Sequence, residues 1–302
     1  MALEPGFDLA EAETLIAFST YFYTYPEKDV KPTPPEPPYQ KIPIPGPRPA
    51  GWTCGEPHIH EGNFNAFRIC THDESGRLAV VFRGTVDEKG STREDLDIKA
   101  VSAEGFSSDP KARIEHGLRE GFLSIADALK AQLKAKLGDA EGPVDCYITG
   151  HSQGASMSIL CGAWLVHSVP ELAKRLRIKT YLFASPKTGN DYFVYDYDFH
   201  QTNSGMCFRI TNTLDFIPQG PLTIQLPGDE AERRLDLPIP KILKFLLEIR
   251  LPHTRNFVAS GAPIILRGIP APDAFPDDAF FQHHAGRYWV LLLQKRHLPE
   301  GT

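Results

Sequence analysis

The chain has no apolar run long enough to cross a bilayer, so no transmembrane segment is expected. It has no run of basic residues either. Its 38 Asp+Glu outnumber its 32 Lys+Arg and leave a formal charge of -6, so nucleic acid is not an expected partner. Residues Met1 to Asp8 lack the basic and apolar regions of a secretory signal. The expected location is therefore cytoplasmic, or extracellular as a mature form whose signal has been removed. Cysteine is scarce. An odd count of five argues against a simple disulfide framework, and Cys146 and Cys161, set in apolar segments, read as buried thiols. No internal repeat is visible.

A length of 302 residues with 41% hydrophobic residues is enough for a sizeable core. One domain over 1–302 is expected, with a proline-rich strap at about 26–50. That strap, containing Pro34-Pro35-Glu36-Pro37-Pro38, favours extended polyproline II. It reads as a stiff cover over the fold, or as a ligand for a proline-reading partner.

Gly150-His151-Ser152-Gln153-Gly154 organises the rest. The residues before it, 144–149, read as a strand, and 155–167 read as a helix. A G-x-S-x-G between strand and helix is the pattern of a nucleophile elbow, a tight turn that holds the serine in a strained conformation. Around it, residues 8–24 and 122–137 carry apolar residues at helical spacing, with Gly138 a natural stop. Residues 66–70 and 78–83 read as a hairpin, and 180–184 and 207–211 as further strands. The mostly polar 86–112 reads as a surface excursion. A last strand is expected at 290–293. The fold class is α/β: an α/β-hydrolase fold with a predominantly parallel sheet flanked by helices.

Asp215 falls just beyond the strand at 207–211, where an α/β hydrolase keeps its acid. His283-His284 precede the expected last strand and complete the order Ser, Asp, His. Gly84-Thr85 ends a strand and can aim a backbone N–H and a hydroxyl at a developing oxyanion. His116 reads as a structural histidine. A separate cluster, Cys54, His58, His60 and Glu61, could hold zinc or could be a polar loop.

Taken together, Val81 to Thr85, His116 with Gly121-Phe122, Gly150 to Gly154, Ala184 to Asn190, Arg209 to Thr211 with Asp215 and Pro218, and His284-Ala285-Gly286 with Trp289 resemble the class 3 lipases, the fungal-type triacylglycerol lipase family. The resemblance covers roughly residues 64 to 292. It implies serine ester hydrolysis through an acyl-enzyme, with no cofactor and a lipid or other ester as substrate. Through the family's H-x-G pattern it implies His284, not His283, as the base beside Ser152 and Asp215. It also implies Thr85 and Gln153 as oxyanion donors. A short-chain or feruloyl-type esterase, a silent binding protein on the same fold and a zinc hydrolase using His58 and His60 are the alternatives. Residues 241–250 form an amphipathic pattern with Ile242, Phe245, Leu246 and Ile249 on one face. They read either as a core helix or as a lipid-facing one.

Overall fold

The computed structural model describes residues 2–23, 49–62, 65–84, 99–140, 142–221, 256–270 and 282–296. Residues 26–48 of the strap, Thr85, and the amphipathic stretch 241–250 lie outside the described residues.

Among the described residues, the frame is an eight-stranded sheet in the order β1-β3-β4-β7-β8-β10-β12, with β2 paired to β3. Its centre comprises β4 (Leu78–Phe82), β7 (Val144–His151), β8 (Leu176–Phe183), β10 (Cys207–Asn212) and β12 (Ala262–Leu266). These pair in parallel throughout. The antiparallel edge holds β1 (Trp52–Cys54), β2 (His58–Ile59) and β3 (Ala66–His72). A parallel strand covered on both faces needs a continuous apolar run, and β4 is buried at all five positions.

Helices cover both faces. Helices α2 (His116–Leu137) and α3 (Gln153–His167) pack on one core, around Ile125, Leu129, Ile159 and Ile148. Helices α1 (Leu9–Tyr23) and α6 (Ala285–Arg296) close the other, around Phe18, Phe22, Tyr181 and Leu292. Between them come the short α4 (Pro170–Ala173) and α5 (Asp191–Tyr197), the latter continued by a π-helical turn, Asp198–Thr202.

Residues 290–293 are not a strand but the middle of α6. An apolar run alone does not separate strand from helix, and here Ala285, Tyr288, Leu291 and Leu292 are buried at helical spacing. The strand beyond β10 is β12, masked in the sequence by Pro263; an edge strand tolerates a proline. Residues 86–112 are not all surface excursion. Strands β5 (Ala100–Ser102) and β6 (Arg113–Glu115) join β9 (Gly189–Asn190) and β11 (Phe257–Val258) in a second, antiparallel sheet, with Phe106 and Ile114 buried. His116 opens α2 rather than preceding it.

Cys54 and Cys70, opposite each other on β1 and β3, form a disulfide. That takes Cys54 out of the zinc cluster suggested by the sequence. Cys146, Cys161 and Cys207 are free and buried.

Candidate active site

Ser152 stands between the end of β7 and the start of α3 with φ 58° and ψ -128°. A non-glycine residue in this region is strained, and the surroundings must hold it there. Its N–H donates to the Phe183 carbonyl at 2.9 Å, and its own carbonyl accepts from Ala155 at 2.9 Å. The flanking glycines are dictated by contact. A Cβ on Gly150 would meet the backbone of Gly154, and one on Gly154 would meet the Phe82 carbonyl. Gln153 is the first residue of α3, so its backbone N–H stands at the positive end of the helix, beside the serine. Gly84, the residue before Thr85, lies against the carbonyl of His151.

The sequence leaves two adjacent histidines, and the structure separates them. His283 Nε2 lies 2.9 Å from Ser152 Oγ, and His283 Nδ1 lies 2.9 Å from Asp215 Oδ2. A carboxylate only accepts, so Nδ1 carries the proton and Nε2 is left to accept from the serine hydroxyl. His284 is elsewhere. Its Nδ1 accepts from the Gly286 N–H at 3.0 Å and its carbonyl accepts from the Arg287 N–H at 2.8 Å. It caps the first turn of α6. The H-x-G spacing that pointed to His284 is thus a capping pattern, and His283 takes the place expected of its neighbour.

Asp215 is buried, and its oxygens are filled. Oδ1 accepts from the Ile217 N–H at 3.0 Å, and Oδ2 accepts from the Tyr288 hydroxyl at 2.6 Å as well as from His283. Burial, then the charge of Asp215, pushes the Tyr288 hydroxyl well above its ordinary value, so it stays a donor. Asn212 Nδ2 donates to the backbone carbonyl and Oε1 of Gln282, at 3.0 and 2.8 Å. This fixes the residue before His283 to the end of β10, three residues ahead of Asp215.

A second layer lies behind His283. His151 Nε2 is 2.7 Å from the His283 carbonyl, and its Nδ1 is 3.0 Å from the Tyr23 hydroxyl. The carbonyl must accept, so His151 is protonated at Nε2 and accepts from Tyr23 at Nδ1. Tyr23 ends α1, and α1 is tethered to the sheet through Glu11, which accepts from the hydroxyls of Tyr147 and Tyr181 and pairs with Lys179. The sequence alone assigns no role to Tyr288, Tyr23, Asn212 or His151. The first three carry no local signal, since it is the fold that brings them to the site. His151 was visible only as a neighbour of the serine.

Burial first, and the nearby His283 next, hold His151 well below the ordinary 6.5. The same two causes lower His284. Both histidines are therefore held toward the neutral form in the fold, and take up protons on unfolding only below about pH 6.5. Their depressed values make stability complete above about pH 6.5 and progressively lost as pH falls below it, by at most about 1.4 kcal/mol per pH unit for each. Urea midpoints at about pH 7.5 and about pH 5 check this. A clear fall is expected at the lower pH, and an unchanged midpoint would contradict it.

The model of the family described as Lipase (class 3) matches residues 79–224. The chain is similar to the class 3 lipases. The class 3 lipase match takes in Ser152 and Asp215 and ends before His283. A curated relative, Lipase ZK262.3 of Caenorhabditis elegans, is 27% identical over 161 residues, covering 53% of this chain and 42% of its own length. The match thus spans less than half of that relative. Among solved structures, a mutant form of MDLA from Penicillium cyclopium superposes with a TM-score of 0.57 at 17% identity, over 89% of this chain and 84% of that one. The triacylglyceride lipase of Rhizomucor miehei gives 0.53 at 18% identity, over 71% and 73%. At such identities these structures establish the α/β-hydrolase fold of the chain.

Proposed function

We propose that the chain is a lipase-type serine ester hydrolase. One observation carries the proposal: a strained Ser152 whose hydroxyl meets His283, itself held by buried Asp215. In this reading His283 takes the serine proton as Oγ attacks the ester carbonyl. Asp215 orients the imidazole and stabilises its charged form, with Tyr288 and the Ile217 N–H sharing the carboxylate's charge. The Gln153 N–H and groups of Thr85 receive the oxyanion, each such donor contributing about 3–4 kcal/mol to the transition state. His283 then protonates the leaving alcohol, and water, deprotonated by His283, releases the acid. His151 neither gives nor takes a proton here. It holds the His283 backbone, and so the ring, in place.

The substrate class we assign is acylglycerol esters. Leu214, next to Asp215, and Ile269, whose carbonyl accepts from Gln282 beside His283, are exposed apolar side chains at this end of the sheet. On the sequence pattern, 241–250 meets the lipid surface. Nitrophenyl esters of increasing acyl length and an emulsified triacylglycerol test both points. Activity rising with chain length and retained on emulsion is expected; activity confined to short dissolved esters would identify a short-chain esterase. Phe245→Ser with Leu246→Ser will leave short-ester hydrolysis intact and lower emulsion hydrolysis by roughly tenfold or more. Equal loss on both, with a lower Tm, would mean that these residues serve the core instead.

A further inference from the structure

Far from Ser152, three side chains from separate turns converge. His167 is the last residue of α3, Asp196 lies in α5, and His200 lies on the π-helical turn that follows. His167 Nε2 is 2.7 Å from Asp196 Oδ2, and His200 Nε2 is 3.8 Å from Asp196 Oδ1. One ligand atom from each residue lies within 4.8 Å of the others. The two imidazoles are set edge to face, their centroids 5.4 Å apart.

Two features distinguish this from a simple ion pair. Asp196 Oδ2 is buried yet receives no hydrogen bond, although the His167 nitrogen is close. The close contact at that oxygen is thus the His167 nitrogen at 2.7 Å, with no hydrogen bond satisfying it. The second feature is the π-helical turn. A single wide turn is uncommon and recurs where a side chain must be aimed, and here it carries His200. Asp196 Oδ1 accepts from the Ser108 hydroxyl at 3.2 Å, which steadies the carboxylate.

We infer that His167, Asp196 and His200 form a binding site for a zinc-like divalent cation. Two imidazole nitrogens and one carboxylate oxygen are a borderline-soft donor set that suits Zn²⁺ and its tetrahedral mimic Co²⁺ far better than Ca²⁺ or Mg²⁺. Ligand bonds of about 2.1 Å in a tetrahedron place donor atoms about 3.4 Å apart. Reaching that needs the 2.7 Å pair to open slightly and the His200 ring, which is exposed and also packs edge-on against Phe199, to swing in. A water takes the fourth position on the outer side. Helix α3 is 15 residues long, so the site lies on the order of 20 Å from Ser152 at the other end. The cation would take no part in ester hydrolysis. It would staple the end of α3 to α5 and its following turn.

The test uses the full chain stripped with a chelator and then titrated with ZnCl₂ or CoCl₂ alone. One Zn²⁺ per chain with a Kd at or below about 1 μM is expected, together with the visible bands of tetrahedral Co²⁺. Saturating Zn²⁺ will raise Tm by about 5 °C, with nitrophenyl ester hydrolysis unchanged. His200→Gln and His167→Gln will each weaken binding by roughly 30-fold or more and remove the Tm shift, while His60→Gln will change neither. Binding weaker than about 10 μM, binding that survives both substitutions, or binding that follows His60 would each overturn the inference.

Discussion

His283→Ala will lower kcat for ester hydrolysis by roughly 10⁴-fold or more, and His284→Ala, one residue along, will change it by no more than about threefold. The contrast follows from what each ring touches. His283 spans the 2.9 Å contacts to Ser152 and Asp215, whereas His284 accepts from the Gly286 N–H at the head of α6. Losing a cap costs about 1 kcal/mol of stability and no proton transfer. The measurements are kcat on a soluble nitrophenyl ester and Tm for both variants. The expected result is catalytic loss with little change in Tm for His283→Ala, and the reverse for His284→Ala. If the effects exchange, the assignment of the base is wrong.

The second large effect is at Ser152. Ser152→Ala will abolish labelling by a serine-reactive phosphonate and lower kcat by roughly 10⁴- to 10⁶-fold, leaving the fold intact. Ser152→Gly adds a physical control. Residue 152 sits at φ 58°, a conformation that costs a side-chain-bearing residue on the order of 1–3 kcal/mol and glycine little. Both variants lose activity, and the glycine variant should melt at or above the alanine variant. Phosphonate labelling of either would show that another residue is the nucleophile. A glycine variant melting well below the alanine variant would mean that the elbow stores no strain.

The elbow was legible because its reasons are local. Gly150, Ser152 and Gly154 are required by a turn whose atoms come from the same few residues and one neighbouring strand. Asp215 was legible because the end of a parallel strand is a defined place in this topology. The choice between His283 and His284 was not. It depends on the phase of α6, and the apolar run at 290–293 does not declare its period. The partners that hold Asp215 and His283, namely Tyr288, Asn212 and His151, come from three different elements, and only the assembled sheet brings them together. The disulfide was hidden as well: with five cysteines the pairing depends on the register of β1 against β3, which sets Cys54 opposite Cys70.

The three free thiols have a practical use. Cys146 lies on β7, Cys161 on α3 and Cys207 on β10, the strand and helix that flank Ser152 and the strand that leads to Asp215. Burial raises all three, Cys146 and Cys207 to about 12, so none offers a thiolate at neutral pH while folded. An alkylating reagent can reach them only during a transient opening of the element that covers each. The mass gained at each cysteine over time therefore records how often that part of the frame around Ser152 breathes. The molecule carries three built-in reporters of local opening without any engineered label.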